Sequence, residues 1–144
     1  QGYLNRPTAT DETIINGWLL TGDVGYMDDE GFLFIVDRKK DLIISKGINI
    51  YPRETEEVID VFDGVGASAV IGINDEKSGE VPVVYIELEE GAEALDEPGL
   101  KKHMRDHLAN YKIPKQIHVI KALPKNATGK VLKRVLKENL REGE

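Results

Sequence analysis

Apolar positions recur along this chain with two different periods, and the switches between them predict its elements. From Trp18 to Asp37, WLLTGDVGYMDDEGFLFIVD, short apolar runs are broken by turn residues, which predicts short strands joined by turns. DDEG between VGYM and FLFIV is a hairpin signal, with Gly31 available for a positive φ. Five charged residues, DRKKD at 37–41, then sit between the apolar runs FLFIV and LII. No buried element tolerates such a run, so the chain is expected to surface there, and this is the candidate domain boundary.

Beyond it the pattern becomes regular. LIIS reads as a strand closed by a turn at Lys46-Gly47. PRETEEVIDVF reads as a helix, with Pro52 in the first turn, Glu54 where the helix dipole favours an acid, and Thr55, Val58, Ile59 and Phe62 on one face. ASAVIGI and VPVVYIEL read as strands separated by the polar loop NDEKSGE. A helix from about Glu97 to Leu108 follows, with Asp96 as its cap and Leu100, Met104 and Leu108 facing inward. KQIHVI is a further strand, and KVLKRVLKENL a final helix burying Leu132, Val135, Leu136 and Leu140. Strands alternating with helices predict an α+β fold, a small mixed sheet covered by helices and preceded by a β-hairpin segment. No internal repeat or low-complexity segment interrupts it.

Charge and composition narrow the function. At 144 residues the chain fits one ordinary domain. A net charge of −7 argues against nucleic-acid binding, which wants a basic face. The charge is uneven, +6 over residues 121–141 (Lys121, Lys125, Lys130, Lys133, Arg134, Lys137 and Arg141 against Glu138) and −13 elsewhere. A solvated helix face is the plainer explanation and an anionic small molecule the sharper one. There is no cysteine, so disulfides, thiolate metal sites and a protein-bound thioester are excluded, and any sulfur chemistry needs a cofactor thiol. No apolar run approaches the ~20 residues of a membrane span. QGYLNRPTAT lacks the features of a signal peptide and reads like the middle of a longer chain, so a fragment is expected.

Four short groups could carry chemistry. PKNATGK at 124–130 ends in Gly-Lys before an amphipathic run, as a phosphate-binding loop does. The cradle fails on two parts: Pro124 has no N–H where the first glycine belongs, and Val131 has no hydroxyl for Mg²⁺. What remains is a Thr-Gly hinge presenting Lys130. TGD at 21–23 places Asp23 just before a strand, where a carboxylate can take both hydroxyls of a ribose, although an isolated Thr-Gly-Asp is usually only a turn. Arg38 and Lys40 in DRKKD read in isolation as solvated linker charges. SKGINIYP offers Gly47 where a backbone or ligand can approach closely. His103 and His107 stand at i and i+4 without the Glu of a zinc hydrolase motif or a third ligand, so no metal site is expected, and His118 reads as structural.

The order of these groups is more telling than any one. GWLLTGDVGYMDDEGFLFIVDRKKDLIISKGINIYPRETEEVI, followed roughly seventy residues later by LPKNATGKVLKRVL, resembles the end of the acyl-adenylate-forming enzymes, over nearly the whole chain. DRKKDLIISKGINIYPRE looks like an acyl-CoA synthetase, of the medium- or long-chain fatty-acid type.

The resemblance implies that Asp23 binds the ATP ribose hydroxyls with Arg38 assisting, and that Lys40 is the hinge of a rotating small domain. It implies that Gly47 lies in the loop lining the pantetheine channel, and that Lys130 is the catalytic lysine of adenylation. The family often has Gly before this arginine; here Asp37 stands there, as in many fatty-acid and luciferase-type members. The resemblance further implies residues 1–37 as the last β segment of a large N-terminal domain, 38–41 as hinge and 42–144 as the small mobile domain. ATP, CoA and Mg²⁺ are the implied cofactors, with the Mg²⁺ ligand in the large domain, and a carboxylic acid the substrate. The implied partner is the N-terminal domain of the same polypeptide, and the implied location the cytoplasm, with peripheral membrane association open to the parent enzyme. The chain alone is expected to be inactive. An aryl or short-chain acid ligase, or a non-catalytic nucleotide- or CoA-binding module, are the alternatives.

Overall fold

A computed structural model describes residues 2–142, with side chains through residue 140. Gln1, Gly143 and Glu144, at the ends of the expected segments, lie outside the described residues, as does the side chain of Arg141. The chain divides into two compact units, with the division after Lys40.

The first unit starts with a short helix, α1 (Pro7–Thr13), which the hydrophobic pattern does not predict because it buries no side chain. Pro7 opens it, a position where the missing N–H costs nothing. The hydroxyls of Thr10 and Thr13 donate back to the carbonyls of Arg6 and Ala9 at 2.9 and 2.7 Å. Strands β1 (Ile14–Ile15) and β2 (Trp18–Leu19) pair through Asn16 and Gly17, both at positive φ. Strands β3 (Asp23–Met27) and β4 (Leu33–Arg38) form the expected hairpin. Asp28 Oδ1 accepts the Glu30 and Phe32 N–H groups at 3.0 and 2.8 Å, and Gly31 takes φ 87°. Along the charged run one expectation needs correction. Asp37 does not surface but is buried, 8% exposed, with its Oδ1 accepting the Arg38 N–H at 2.7 Å. A carboxylate can be buried in this way because it is bonded within its own strand.

The second unit is built on a five-stranded mixed sheet. Strands β5 (Ile43–Ser45) and β6 (Ile48–Ile50) form a tight hairpin through Lys46 (φ 50°) and Gly47 (φ 77°). This is the turn whose twist matches paired strands and which demands a residue tolerant of positive φ. Helix α2 (Pro52–Asp60) leads to a long antiparallel hairpin, β7 (Val65–Asp75) and β8 (Gly79–Leu88). At its tip Asp75 Oδ1 accepts the Lys77 and Ser78 N–H groups. Helix α3 (Glu97–His107) is capped by Asp96, whose Oδ1 accepts the Gly99 N–H at 3.0 Å. It carries the chain over to β9 (Gln116–Ile120), which pairs parallel to β8. Helix α4 (Lys133–Glu142) ends the described chain.

Both faces of the sheet are dry. Val84 and Ile86 of β8 join Ile59 of α2 and Leu100, Met104 and Leu108 around α3 in one core. Val83 and Tyr85, alternating with them, face a second core with Ala69, Ile71, Leu123 and Leu136 of α4. This explains why VPVVYIEL is continuously apolar, since a strand covered on both sides has no polar face to show. The α4 expectation needs trimming. Lys130, Val131 and Leu132 precede the helix, and Leu132 is exposed while Leu136 is buried. The buried hydrophobic side chains of the described residues all belong to the second unit, whereas Trp18 and Leu33 in the first are 78% and 63% exposed. No described helix is long and apolar enough to cross a membrane.

Truncating Ile86 to Ala removes a fully buried side chain and is expected to cost about 2–5 kcal/mol, measured by urea unfolding. Amide hydrogen exchange of this chain is expected to be fast across residues 7–35 and slow across β7 and β8, because local stability follows buried apolar contact. Equal protection in the two units would contradict that reading.

Candidate active site

Asp23 begins β3 and Arg38 ends β4, and the hairpin register sets them directly across from each other. The Arg38 Nε–H donates to Asp23 Oδ1 at 2.8 Å, with the two side chains about one third exposed. Arg38 Nη2 also donates to the Thr21 carbonyl at 3.3 Å, and the Asp23 N–H donates to Thr21 Oγ1 at 3.2 Å. The Lys39 N–H closes the corner on the Gly22 carbonyl at 2.8 Å. A half-exposed pair of this kind contributes at most about 1 kcal/mol to stability. Its worth is orientation, since the guanidinium engages one carboxylate oxygen in a defined direction. TGD and DRKKD are fifteen residues apart between Asp23 and Arg38, and the structure brings them together.

Lys130 sits on the outgoing arm of a small looped hairpin, fully within the second unit. Lys125 and Val131 form an isolated antiparallel bridge. The Leu132 N–H donates to the Pro124 carbonyl at 2.7 Å, and the Asn126 N–H to the Lys130 carbonyl at 2.9 Å. Inside the loop Asn126 Oδ1 accepts three bonds, from the Thr128 N–H (3.0 Å), the Thr128 hydroxyl (2.7 Å) and the Lys130 N–H (2.9 Å). Gly129 takes φ 80°. So PKNATGK is a loop closed on itself, with the Thr128 and Lys130 N–H groups turned to the Asn126 side chain and the Asn126 and Gly129 N–H groups to backbone carbonyls of the loop rather than outward to a phosphate. Lys130 is exposed.

Glu87, near the end of β8, holds the root of this loop. Its Oε2 accepts the Leu123 N–H at 2.8 Å, and both oxygens face Lys125 Nζ at 3.2 and 3.4 Å. These two partners, the Leu123 N–H first, hold the Glu87 carboxyl below its usual pKa of 4.5. Neither Glu87 nor Asn126 stood out in the sequence. Asn126 had a signal, an Asn shortly before Thr-Gly being a common side-chain-closed turn; Glu87 had none, being one acid at the end of an apolar strand.

The other candidates are spread. Gly47 occupies the β5–β6 turn, with no atom within 4 Å of where a Cβ would stand. Lys40 lies exposed in a single 3₁₀ turn, Lys39–Asp41. His103 bonds through Nε2 to the Val58 carbonyl at 3.0 Å, and His107 through Nδ1 to the His103 carbonyl at 2.9 Å. His118 stacks on Tyr85 with ring centres 5.0 Å apart. Among the described residues no cluster of three or more His, Asp or Glu could hold a metal ion. The basic tail is partly used up internally: Lys125 pairs with Glu87, Lys133 with Glu56 at 2.7 Å and Arg134 with Glu138 at 3.1 Å.

The profile of the AMP-binding enzyme C-terminal domain family matches residues 54–130. A 2-succinylbenzoate–CoA ligase of Listeria monocytogenes serotype 4b is 50% identical over 137 residues, 95% of this chain and 29% of that protein. The o-succinylbenzoate CoA synthetase of Bacillus subtilis, solved with its acyl-adenylate intermediate, aligns with a TM-score of 0.88 at 43% identity, over 95% of this chain and 28% of its own. A fatty acyl CoA synthetase of Mycobacterium tuberculosis aligns with a TM-score of 0.73 at 44% identity, over 99% and 28%. The chain thus spans less than a third of the length of these relatives.

Because the folded pKa of Glu87 is depressed, the stability it lends is complete above its unfolded value and is lost as pH falls through the lower folded value. An NMR titration is expected to place the Glu87 carboxyl midpoint below 4.5, with the Leu123 amide shift following the same curve. A midpoint at or above that value would mean that Glu87 does not anchor the loop.

Proposed function

The chain belongs to the family of AMP-binding enzyme C-terminal domains, and on that premise we propose that it is the C-terminal part of an ATP-dependent acid–CoA ligase. The observation that carries this reading is the 50% identity, across 95% of the chain, to a 2-succinylbenzoate–CoA ligase. In the proposed reaction a carboxylate oxygen attacks the α-phosphorus of ATP and pyrophosphate leaves, giving an acyl-adenylate. The CoA sulfur then attacks the acyl carbon, and AMP leaves.

Each residue has a role its chemistry suits. Asp23 offers two acceptor oxygens to the vicinal hydroxyls of ribose, with Arg38 fixing the carboxylate's direction. Lys130 is an exposed ammonium on a shaped loop, suited to bridging the attacking carboxylate and the α-phosphate as charge redistributes. Gly47, in a turn with open space at its Cβ position, leaves room for the thin pantetheine arm of CoA. Residues 1–37 then close a large N-terminal domain, 38–41 form a hinge around Lys40, and 42–144 turn to present Lys130 for the first step and the Gly47 loop for the second. Among the described residues no cluster of three or more His, Asp or Glu is in place to hold Mg²⁺, and no step is assigned to it.

For the acid, we favour an aryl carboxylic acid of the 2-succinylbenzoate type over the fatty acid that the motif wording suggested. The Listeria 2-succinylbenzoate–CoA ligase at 50% identity supports the aryl reading. The mycobacterial fatty acyl CoA synthetase at 44% keeps a medium- or long-chain fatty acid as the second. A panel of acids assayed with the full-length enzyme is expected to give the higher kcat/KM with 2-succinylbenzoate; a preference for palmitate would reverse the order.

The two half-reactions, timed separately in the full-length enzyme, test the site. Lys130→Ala is expected to slow acyl-adenylate formation by on the order of 10²–10³, as removal of comparable transition-state donors does. CoA thiolysis of supplied acyl-adenylate is expected to be preserved. If both steps are untouched, Lys130 is an ordinary surface lysine and the assignment is wrong.

A further inference from the structure

The loop that carries Lys130 has no hydrophobic core of its own, so what fixes its direction must lie at its root. Of residues 124–130, all but Pro124 are exposed. The incoming arm is anchored at Leu123, 4% exposed and part of the second core with Tyr85 and Leu136. That buried anchor leaves its N–H in need of an acceptor, and Glu87 Oε2 supplies one at 2.8 Å. Two residues on, Lys125 Nζ meets the same carboxylate at 3.2 Å, and the Lys125 backbone bridges Val131. Glu87 is itself held firmly, its backbone paired with Ala67 of β7 and with Ile120 of β9. A continuous path therefore runs from the centre of the sheet, through one carboxylate, to the residue next to Lys130.

We propose that Glu87 is a positioning residue for Lys130, fixing the root of its loop through the Leu123 N–H and the Lys125 ammonium so that the Lys130 ammonium is presented in one place. This rests on the role given to Lys130 above. Glu87 touches no substrate; it acts through Lys125 and the loop. Geometry of this kind matters because a displacement of about 1 Å at a reacting group can cost on the order of 10² in rate. Glu87→Gln is the informative change, since an amide oxygen can still accept from Leu123 but the charge opposite Lys125 is gone. Lys125→Met removes the same ion pair from the exposed side, where the fold is not at stake.

In this chain, Glu87→Gln is expected to raise amide exchange at Thr128, Gly129 and Lys130 by about tenfold while β7 is unchanged. In the full-length enzyme the same substitution is expected to slow acyl-adenylate formation by on the order of tenfold and to leave thiolysis of supplied acyl-adenylate within twofold. Lys125→Met should act in the same direction, and the double variant should be no slower than the slower single one. If Lys130→Ala abolishes adenylation while Glu87→Gln and Lys125→Met leave it within twofold, the positioning role is wrong and the ligase reading stands. If Glu87→Gln slows both half-reactions equally, Glu87 only supports the fold and the inference falls. If Lys130→Ala itself leaves adenylation intact, the role of Lys130 fails first and this inference with it.

Discussion

Val83, Val84, Tyr85 and Ile86 are consecutive in the chain and all buried, two against each face of the sheet. A strand in that position must find cover on both sides and hydrogen-bonded neighbours on both edges, or its backbone and side chains stay wet. The rest of the second unit can be understood as the answer to that demand. Strand β7 takes one edge along its whole length, β9 takes half of the other, and β5 touches it at Gly79 through Ser45. Helices α2 and α3 cover one face, and α4 with Leu123 covers the opposite one. The proposed catalytic loop lies between β9 and α4, so it is tied to this strand at both ends.

Around the rim of this dry sheet, carboxylates bind peripheral segments to the centre. Glu80 Oε2 accepts the Ile44 N–H at 2.9 Å, Glu56 Oε1 accepts the Val70 N–H at 2.7 Å and pairs with Lys133, and Glu87 takes Leu123 and Lys125. The Lys125–Glu87 ion pair, about one third exposed, adds little to stability, while Lys133–Glu56 is the more sheltered of the two. The larger effect of these carboxylates is to accept from the backbone N–H groups of Ile44, Val70 and Leu123, which would otherwise be costly to leave unpaired. This also accounts for part of the charge asymmetry along the chain. Basic residues collected in the last twenty positions find acidic partners on elements formed much earlier in the sequence.

Legibility in the sequence followed the strength of the physical signal. Most elements of the second unit were readable because burial on one face or both leaves a periodic trace, as in Leu100 and Met104 of α3 and Leu108 just after it, whereas the three-residue β6 was too short to leave one. Helix α1 was not readable, because it buries nothing and rests on Pro7 and two threonine hydroxyls. Asp37 misled, since a charge inside a charged run looks solvated, and only the folded structure shows it buried. The pairing of Asp23 with Arg38 was not legible from the DDEG turn alone: counted out from that turn Asp23 would face Asp37, and a bulge between Val24 and Gly25 shifts it to Arg38. Glu87 was invisible, because its partners are residues more than thirty positions away brought near by a parallel pairing. The identity of the acid stayed open for a different reason: ligases named for an aryl acid and for fatty acids are both similar to this chain over nearly its whole length.

The parallel pairing of β9 with β8 also sets an order of assembly. Strands β7 and β8 meet across three residues, whereas β9 reaches β8 only after an excursion of twenty-seven that includes α3. Closing the longer loop costs on the order of 2 kcal/mol more chain entropy, to be recovered only when β9 docks. Glu87 is in place with the β7–β8 hairpin, but Leu123 and the arms around Lys130 reach it only once β9 has docked. The lysine to which we assign the chemistry is thus among the last parts of the domain to acquire its geometry, and in a chain made from the N-terminus it has no form until nearly everything before it has been folded.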